Sequence, residues 1–399
     1  MKRALSSLFI AETFSRALSF FIIIYVSRVL GVTELGYWSY ALAINAFLII
    51  ATNLGLDVYA MVEATKNIRK RSSLYINTIT IKALLTFGAL GVSWSLHSYM
   101  ELKVLLLITM LLCADLLSTI TPVWYYQAAE DFRTISHIKI TQAVSYFFLV
   151  LLLLWWFENI ITLAVAYIGA NLLSAVIFGK NIFKELSFSS TKPHHWHKII
   201  KVSIYLGGAL FLNQIYTNTD KIMIAHMLGI KYNGYYEAGY KLYALVPVIF
   251  STVWTVFAPK VTKSIDAMRS YKWSIVILSF FIAAVFYFGK DFIITLLYTE
   301  KFAPTISLMP LFALSIIVLA WSYVYTSLLT ILEKSKEWFW ITFASATLNI
   351  LLNFFLIPHF RLQGALYATI IAESVAAIGG YYVYKKVKEV SSAPSHTTR

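Results

Sequence analysis

The chain has few charged residues, a single cysteine and none of the motifs that accompany common enzyme chemistries. Charged residues make up 13% of its 399 residues, whereas soluble domains carry roughly 25%, so an ordinary soluble domain is excluded. Its one cysteine, Cys113, can form neither an internal disulfide nor a cysteine metal cluster. Walker A, His-Glu-x-x-His and Asp-x-Asp patterns are absent from the sequence. These absences favour a carrier over an enzyme.

Apolar residues, by contrast, occur in long stretches. The chain is 59% hydrophobic with a mean hydropathy of +0.71, and a membrane-spanning helix needs roughly 20 mainly apolar residues. Twelve such stretches, separated by short polar breaks, predict an all-α polytopic membrane protein. The predicted spans cover residues 7–30, 36–60, 75–97, 102–128, 134–157, 160–183, 200–226, 233–258, 273–297, 304–331, 337–357 and 363–384.

The distribution of lysine and arginine predicts the orientation of these spans. Basic residues in short loops are retained on the cytoplasmic side, and with the N-terminus inside, 23 of the 33 lysines and arginines fall in inner segments. Both termini are therefore predicted to be cytoplasmic. The net charge of +14 then reflects topology and an attraction to anionic inner-leaflet lipid, and it gives no reason to expect nucleic-acid binding.

One short motif occurs twice, near the start and at the middle of the chain. "LGVTELGY" begins at Leu30 and "LGIKYNGY" begins at Leu228, an offset of 198 residues. Each copy follows the first helix of a set of six, at an outer turn where glycine can end a helix in a left-handed conformation. A repeat after six spans predicts two similar lobes related by a pseudo-twofold axis along the membrane normal. The alternative is that the motif is only a common outer turn.

The repeat also predicts the domain organisation. The predicted parts are an N-terminal six-helix lobe at 1–185, a cytoplasmic linker at 186–199, a C-terminal six-helix lobe at 200–386 and a disordered cytoplasmic tail at 387–399. Proline removes a backbone donor and commonly bends a helix, so Pro122, Pro247 and Pro259 are candidate bends in the fourth and eighth spans.

Charged and polar residues inside the predicted spans indicate a transport path. A charge at the bilayer centre costs roughly 2.5 to 3.5 kcal/mol on insertion scales, so one that persists there usually faces protein or water. Arg16 in the first span and Gln214 in the seventh are equivalent positions of the repeat, which predicts that the first helix of each lobe lines a polar seam. Arg16 suits an anionic lipid headgroup, because a guanidinium can hold a phosphate in two places. Other charges in or near the spans are Glu12, Asp57, Lys82, Asp115, Asp220, Glu237, Lys241 and Glu373.

Several of these residues also have a structural interpretation. Glu12 with Arg16, and Glu237 with Lys241, have the four-residue spacing of ion pairs within one helix. Lys82 lies about two turns from the inner boundary, from where a lysine can extend its ammonium group to the interface. Either interpretation accounts for the presence of the residue without a role in transport.

Two further groups of residues have alternatives of the same kind. Asp57 and Asp220 lie near span ends, where solvation of the helix end accounts for an acid as well as function does. His194, His195 and His197 cluster in "FSSTKPHHWHK" between the lobes. A solvated basic linker accounts for these histidines better than a metal site, so no metal site is predicted.

Three longer segments resemble a known family. They are "RVLGVTELGYWSYA" after the first span, "NTDKIMIAHMLGIKYNGYYEAGYKLY" across spans seven and eight, and "LNILLNFFLIPHFRLQGALYATIIAES" across the last two. The last segment holds a pattern formed by Asn353, Pro358, Gly364, Ala365 and Glu373. On these residues the chain resembles the polysaccharide-transport branch of the multidrug/oligosaccharidyl-lipid/polysaccharide (MOP) flippase superfamily, and within it the Wzx-type O-antigen repeat-unit flippases. The resemblance covers the whole chain, with the matching segments in the same order and the chain of similar length.

The resemblance implies a V-shaped pair of six-helix lobes around a cationic cavity, working by alternating access. The substrate implied is an undecaprenyl (isoprenoid) pyrophosphate-linked oligosaccharide, moved from the inner to the outer leaflet of the bacterial inner membrane. Substrate-binding cations carried over are Arg16, Lys241 and Lys82, with Gln214 at the position equivalent to Arg16. Candidates for coupling to H⁺ or Na⁺ are Glu12, Asp57, Asp115, Asp220 and Glu373.

The resemblance also implies partners and leaves two other functions open. The implied partners are membrane lipid, a polysaccharide polymerase and a chain-length regulator, with no cofactor besides the coupling ion. The first span lacks the proline that commonly bends it in the multidrug branch, which favours a lipid-linked sugar. An efflux carrier for cationic drugs or metabolites, and a non-transporting scaffold for glycan-assembly enzymes, are the alternatives.

Overall fold

The computed structural model describes residues 2–185 and 196–392, and every regular element in those ranges is a helix. The chain forms two compact units, Met1–Ile222 and Met223–Arg399. This division falls inside the helix Trp196–Met227, later than the linker that the sequence predicts at 186–199. Residues 196–199 of that linker are helical, and residues 186–195 lie outside the described ranges. The predicted lobe boundaries stay a prediction.

The first unit is built from long apolar helices that pack side by side. In its described part these are α1 (Lys2–Leu30), α2 (Val32–Asn53), α3 (Leu56–Lys66), α4 (Arg71–Ser95), α5 (Leu102–Ser118), α6 (Val123–Gln127), α7 (Phe132–Trp156), α8 (Ile161–Glu185) and most of α9 (Trp196–Met227). Helix α7 packs between α1 and α8, and α5 packs on α8, α2 and α4. An aromatic core that includes Tyr75, Trp124 and Tyr125 joins α4 to α6.

The second unit is also built from apolar helices that pack side by side. Its described helices are α10 (Ile230–Tyr243), α11 (Val246–Val261), α12 (Ile265–Phe288), α13 (Lys290–Tyr298), α14 (Ala303–Ile306), α15 (Met309–Ile331) and α16 (Ser335–Ser392). Helix α15 packs along α16 and α12, and α11 packs on α12. Helix α16 extends to Ser392, so the disorder predicted from residue 387 is wrong as far as residue 392. Residues 393–399 of the predicted tail lie outside the described ranges.

Helix α16 contains a turn that divides it into the last two predicted spans. Its 58 residues would measure about 87 Å at 1.5 Å per residue, against about 30 Å of hydrocarbon. The run is interrupted at Arg361, which has φ 52° and ψ −133°. Gly364 then lies directly against the backbone carbonyl of Leu356, where a β-carbon would overlap it. The Pro358 to Gly364 segment of the sequence pattern therefore encodes a tight turn.

The repeated glycines have matching conformations in the two units. Gly31, between α1 and α2, has φ 81° and ψ −169°, and Gly229, between α9 and α10, has φ 102° and ψ 161°. The prediction of a glycine-dependent helix end is confirmed. The conformation is not the left-handed helical one but an extended positive-φ region that is essentially restricted to glycine, which explains why both copies of the motif carry it.

Helix breaks coincide with two of the three predicted prolines. Pro122 precedes α6 after α5 has ended at Ser118, and Pro247 lies in the first turn of α11. Pro259 lies inside α11. A break that the sequence analysis missed occurs at Leu54 and Gly55, with φ of 47° and 80°, in the middle of the predicted span 36–60.

Ten helical stretches in the described residues are long and apolar enough to cross a membrane, which makes the chain a multi-pass membrane protein. The sequence predicts twelve spans. One stretch, Ser335–Lys388, contains the two predicted spans on either side of the Arg361 turn. The other difference is α9, which carries a polar run at residues 214–221 and is not among the ten. The count of twelve and the cytoplasmic termini stay predictions.

Candidate functional site

A polar cavity of about 400 Å³ lies within the first unit. The junction of α5 and α6 forms one wall, and α3, α4, α7 and α8 supply the others. Its polar lining consists of Asp57, Lys82, Ser118, Thr119, Thr121, Gln127, Lys139, Gln142, Tyr167 and Asn171, and Trp124 adds an aromatic face. A cavity of this size is within the range of small-molecule binding sites, and polar walls are unusual in a helical unit that is otherwise apolar.

Asp57 and Lys82 form an ion pair in the wall of this cavity. Lys82 Nζ lies 2.7 Å from Asp57 Oδ1, and Asn53 Nδ2 donates to the other carboxylate oxygen at 2.8 Å. The break after α2 produces this arrangement, because it places Asp57 in the first turn of α3, where the helix dipole favours an acid. Lys82 is buried and directs its ammonium group to Asp57. The interpretation that Lys82 extends to the membrane interface is therefore wrong.

Glu12 connects two basic residues at the contact between α1 and α7. Its carboxylate accepts a hydrogen bond from Lys139 and lies 3.4 Å from Arg16 Nη2. The predicted four-residue pair of Glu12 and Arg16 is confirmed, but Arg16 is 57% exposed and does not line the cavity. Lys139, which falls within the predicted span 134–157 and is not among the candidate residues from sequence, lies inside α7 and lines the cavity. The sequence signal for it was a polar residue three positions later, Gln142.

A hydrogen-bonded network extends the polar wall into α2, α5 and α8. Gln142 Nε2 donates to Asn171 Oδ1 at 3.1 Å. Asn45 Nδ2 donates to Asp115 Oδ2 at 2.8 Å, and the Tyr167 hydroxyl also contacts this carboxylate. Asp115 is thus placed behind the cavity and interacts electrostatically with Lys82. None of its neutral partners was identified from sequence.

None of the remaining predicted residues is part of the lining of this cavity. Gln214 in α9 accepts a hydrogen bond from Asn218 at 2.6 Å, and Asp220 is buried near the end of that helix. In the second unit, Lys241 Nζ lies 3.2 Å from Glu237 Oε1, which confirms the second predicted helix ion pair. Glu373 is buried in α16.

The cavity of the first unit has both charge signs. Its two lysines, Lys82 and Lys139, each contact a carboxylate, Asp57 and Glu12 respectively. The cationic cavity that the resemblance implies lies between two lobes and stays a prediction. Burying a lysine without a counterion is unfavourable, and Lys82, the buried one of the two, has Asp57 as its counterion.

No group of three or more histidine, cysteine, aspartate or glutamate side chains in the described residues is arranged to hold a metal ion. Of the histidine cluster, His194 and His195 lie outside those residues.

Comparison with known proteins identifies the family and the fold. A family model described as "Polysaccharide biosynthesis protein" matches residues 1–265. A search of curated proteins finds no match. Among solved structures, the lipid II flippase MurJ in an inward closed conformation superposes with a TM-score of 0.73 at 15% identity, over 95% of this chain and 87% of that one.

Two other solved structures have a similar fold. An inward-facing multidrug resistance MATE family transporter of the MOP superfamily has a TM-score of 0.68 at 14% identity, over 94% of this chain and 96% of that one. A MOP superfamily transporter from Pyrococcus furiosus has a TM-score of 0.64 at 12% identity, over 97% of this chain and 95% of that one. At such low identities the likeness establishes the fold alone. The predicted resemblance to the MOP superfamily is confirmed at that level.

Proposed function

Because the chain belongs to the polysaccharide biosynthesis protein family, we propose that it is a flippase for a lipid-linked oligosaccharide. The substrate is an undecaprenyl pyrophosphate-linked repeat unit, moved from the inner to the outer leaflet of the bacterial inner membrane for O-antigen or a related surface polysaccharide. Besides the family, the observation that carries this proposal is the polar cavity with two lysines inside a membrane-spanning helical unit.

The chemistry of the cavity suits the part of the substrate that cannot cross hydrocarbon. A pyrophosphate with several sugars would lose its hydration in the bilayer core, and burying such groups without partners is strongly unfavourable. The cavity offers two ammonium groups for phosphate oxygens, and amides and hydroxyls for sugar hydroxyls. Tyr167, which is partly exposed and lines the cavity, is an aromatic side chain against which a sugar ring can stack. The isoprenoid tail stays in the lipid.

Transport by this route requires the cavity to open to each side in turn. We assign this alternating access to the two predicted lobes, with H⁺ or Na⁺ coupling through the acids Glu12, Asp57, Asp115, Asp220 and Glu373. Arg16, Lys241 and Gln214 act with Lys82 along the path of the headgroup. A polysaccharide polymerase and a chain-length regulator are the expected partners at the outer leaflet.

The test is transport in liposomes that contain the purified protein and an undecaprenyl pyrophosphate-linked oligosaccharide. An impermeant lectin reports how fast the inner pool of glycan becomes accessible from outside, with and without an imposed proton or sodium gradient. Wild type is expected to expose the inner pool quickly, and Lys82→Ala and Arg16→Ala to do so slowly. Lys66→Ala is the matched control, because Lys66 is an exposed lysine with its own ion pair, 2.8 Å from Glu63.

The outcomes separate the proposal from its alternatives. Access that is fast in wild type and in Lys66→Ala but slow in Lys82→Ala supports a flippase that handles the headgroup in the cavity. No access under any gradient, with the native glycan confirmed, contradicts the proposal. Uptake of a cationic drug by the same liposomes would then identify an efflux carrier. If the liposomes took up no drug either, the scaffold function would remain.

A further inference from the structure

The two lysines of the first unit's cavity are already occupied by carboxylates of the same chain. Lys82 is 2.7 Å from Asp57, and Lys139 donates to Glu12. On each ammonium group the acid occupies a position that an oxygen of a bound anion would take. An ammonium group has three donors, but an anion that approaches either lysine also meets a carboxylate of like charge, and the two compete electrostatically for the same cation.

The two acids are more accessible than the lysines that they contact. The side chains of Lys82 and Lys139 are 10% and 29% exposed, whereas those of Asp57 and Glu12 are 38% and 40% exposed. Separating a partly solvated carboxylate from its lysine costs less than separating a buried one, because water screens the attraction and can replace the lost contact. In each pair the acid is thus the partner that water can more readily accommodate after separation.

Each acid also has a second polar partner to which it can remain bound. Asp57 accepts a hydrogen bond from Asn53 Nδ2 at 2.8 Å through the oxygen that does not contact Lys82. Glu12 contacts Arg16 at 3.4 Å through the oxygen that does not contact Lys139. Releasing the lysine therefore leaves neither carboxylate without a partner, and this arrangement occurs in both pairs.

We propose that Asp57 and Glu12 are exchangeable counterions: a diphosphate group that enters the cavity binds Lys82 and Lys139 by displacing them, and they remain bound to Asn53 and Arg16. The exchange deepens the proposed function, on which it rests for the source of the diphosphate, namely the lipid-linked sugar. It explains how one cavity can hold a strongly charged group and still release it. After release, the carboxylates return to the lysines and keep the empty cavity electrically balanced.

The first test measures binding of inorganic pyrophosphate to the detergent-purified full chain by isothermal titration calorimetry. Asp57→Asn and Glu12→Gln each remove a competing charge while keeping the side-chain shape, and each is expected to bind pyrophosphate about tenfold more tightly than wild type, a change of about 1.4 kcal/mol. Lys82→Met is expected to abolish binding. Glu63→Gln, which neutralises an acid of an exposed ion pair, is expected to leave the affinity unchanged. The exchange is overturned if Asp57→Asn and Glu12→Gln bind pyrophosphate no more tightly than wild type does. It is also overturned if no variant binds pyrophosphate.

A second measurement uses the wild-type protein and does not depend on how variants fold. Carbodiimide activation with an amine label, followed by mass spectrometry, reports the accessibility of each carboxylate. Pyrophosphate is expected to increase labelling of Asp57 and Glu12 several-fold and to leave Glu63 unchanged. Equal or reduced labelling overturns the exchange.

The same measurements distinguish this inference from the proposed function. If pyrophosphate competes with the two acids but the protein does not move lipid-linked oligosaccharide, the exchange stands and the lipid-linked sugar is not the source of the diphosphate. Transport of the lipid-linked substrate without any gain in pyrophosphate affinity in Asp57→Asn would retain the flippase and discard the exchange.

Discussion

Lys241→Met is expected to destabilise the second unit, because it removes the cationic partner of a buried carboxylate. The side chain of Glu237 is 1% exposed, and Lys241, 3.2 Å away, is 29% exposed. Breaking a buried ion pair by removing one partner costs roughly 3 to 5 kcal/mol. Since Lys241 retains some solvent contact, we discount that cost to about 2 to 3 kcal/mol. For a unit of this size that corresponds to a fall in Tm of roughly 5 to 10 °C.

The assay is thermal unfolding of the detergent-purified full chain, with two companion variants. Glu237→Gln combined with Lys241→Met removes both charges and is expected to recover most of the lost Tm, because the buried negative charge is removed together with its cation. Lys334→Met is the matched control in the same unit. Its partner Glu337 is 3.7 Å away and both side chains are more than one-third exposed, so the expected loss is below about 0.5 kcal/mol.

The result would also decide between two roles for Lys241. A Lys241→Met protein with the Tm of wild type would refute the reasoning that the pair supports the fold. If the double variant recovers stability but not transport, Lys241 acts on the substrate in addition to its pairing with Glu237. If it recovers both, the structural interpretation of this pair is sufficient.

Three further predictions concern packing, a cation–π contact and topology. Gly239→Ala places a methyl group onto the Phe312 ring, and such overpacking should lower stability by about 1 to 3 kcal/mol, measured by thermal unfolding. Lys272→Met removes an ammonium group that lies 4.0 and 5.3 Å from the centroids of two tyrosine rings, with an expected loss of about 1 kcal/mol in the same assay. In a cysteine-free background, Lys70→Cys should react with an impermeant maleimide only from the cytoplasmic side and Tyr99→Cys only from the outer side; the reverse pattern would invert the predicted orientation.

The class of protein and most of its helices were predictable from sequence because they depend on local composition. Apolar stretches of about 20 residues have few alternatives to a spanning helix. The positive-φ glycines and the Pro122 and Pro247 breaks were predictable for the same reason, since each acts through its own backbone. The break at Leu54 and Gly55 was missed because one glycine within an apolar stretch is a weak signal.

The ion pairs of the two units were predictable only in part. The pair of Glu237 and Lys241 follows from a four-residue spacing. The partner of Lys139 lies 127 positions away in Glu12, and nothing in either local sequence indicates that α1 packs on α7. The sequence therefore identified Asp57, Lys82 and Glu12 as candidates, but neither the place of Lys139 nor the charge balance of the cavity, which depends on tertiary packing.

The ion pair of Lys82 and Asp57 can be tested separately for a part in folding and for a part in the proposed transport. Replacing both members of a partly buried ion pair with neutral residues is often neutral or stabilising, so Lys82→Met combined with Asp57→Asn should unfold at a temperature close to that of wild type. The same protein should fail to bind pyrophosphate and to move the lipid-linked substrate, because the ammonium group is gone. If it unfolds several degrees earlier than wild type, the pair is needed for folding itself. If it stays folded and transports normally, Lys82 does not handle the headgroup, and the cavity would have to bind it through Lys139 alone.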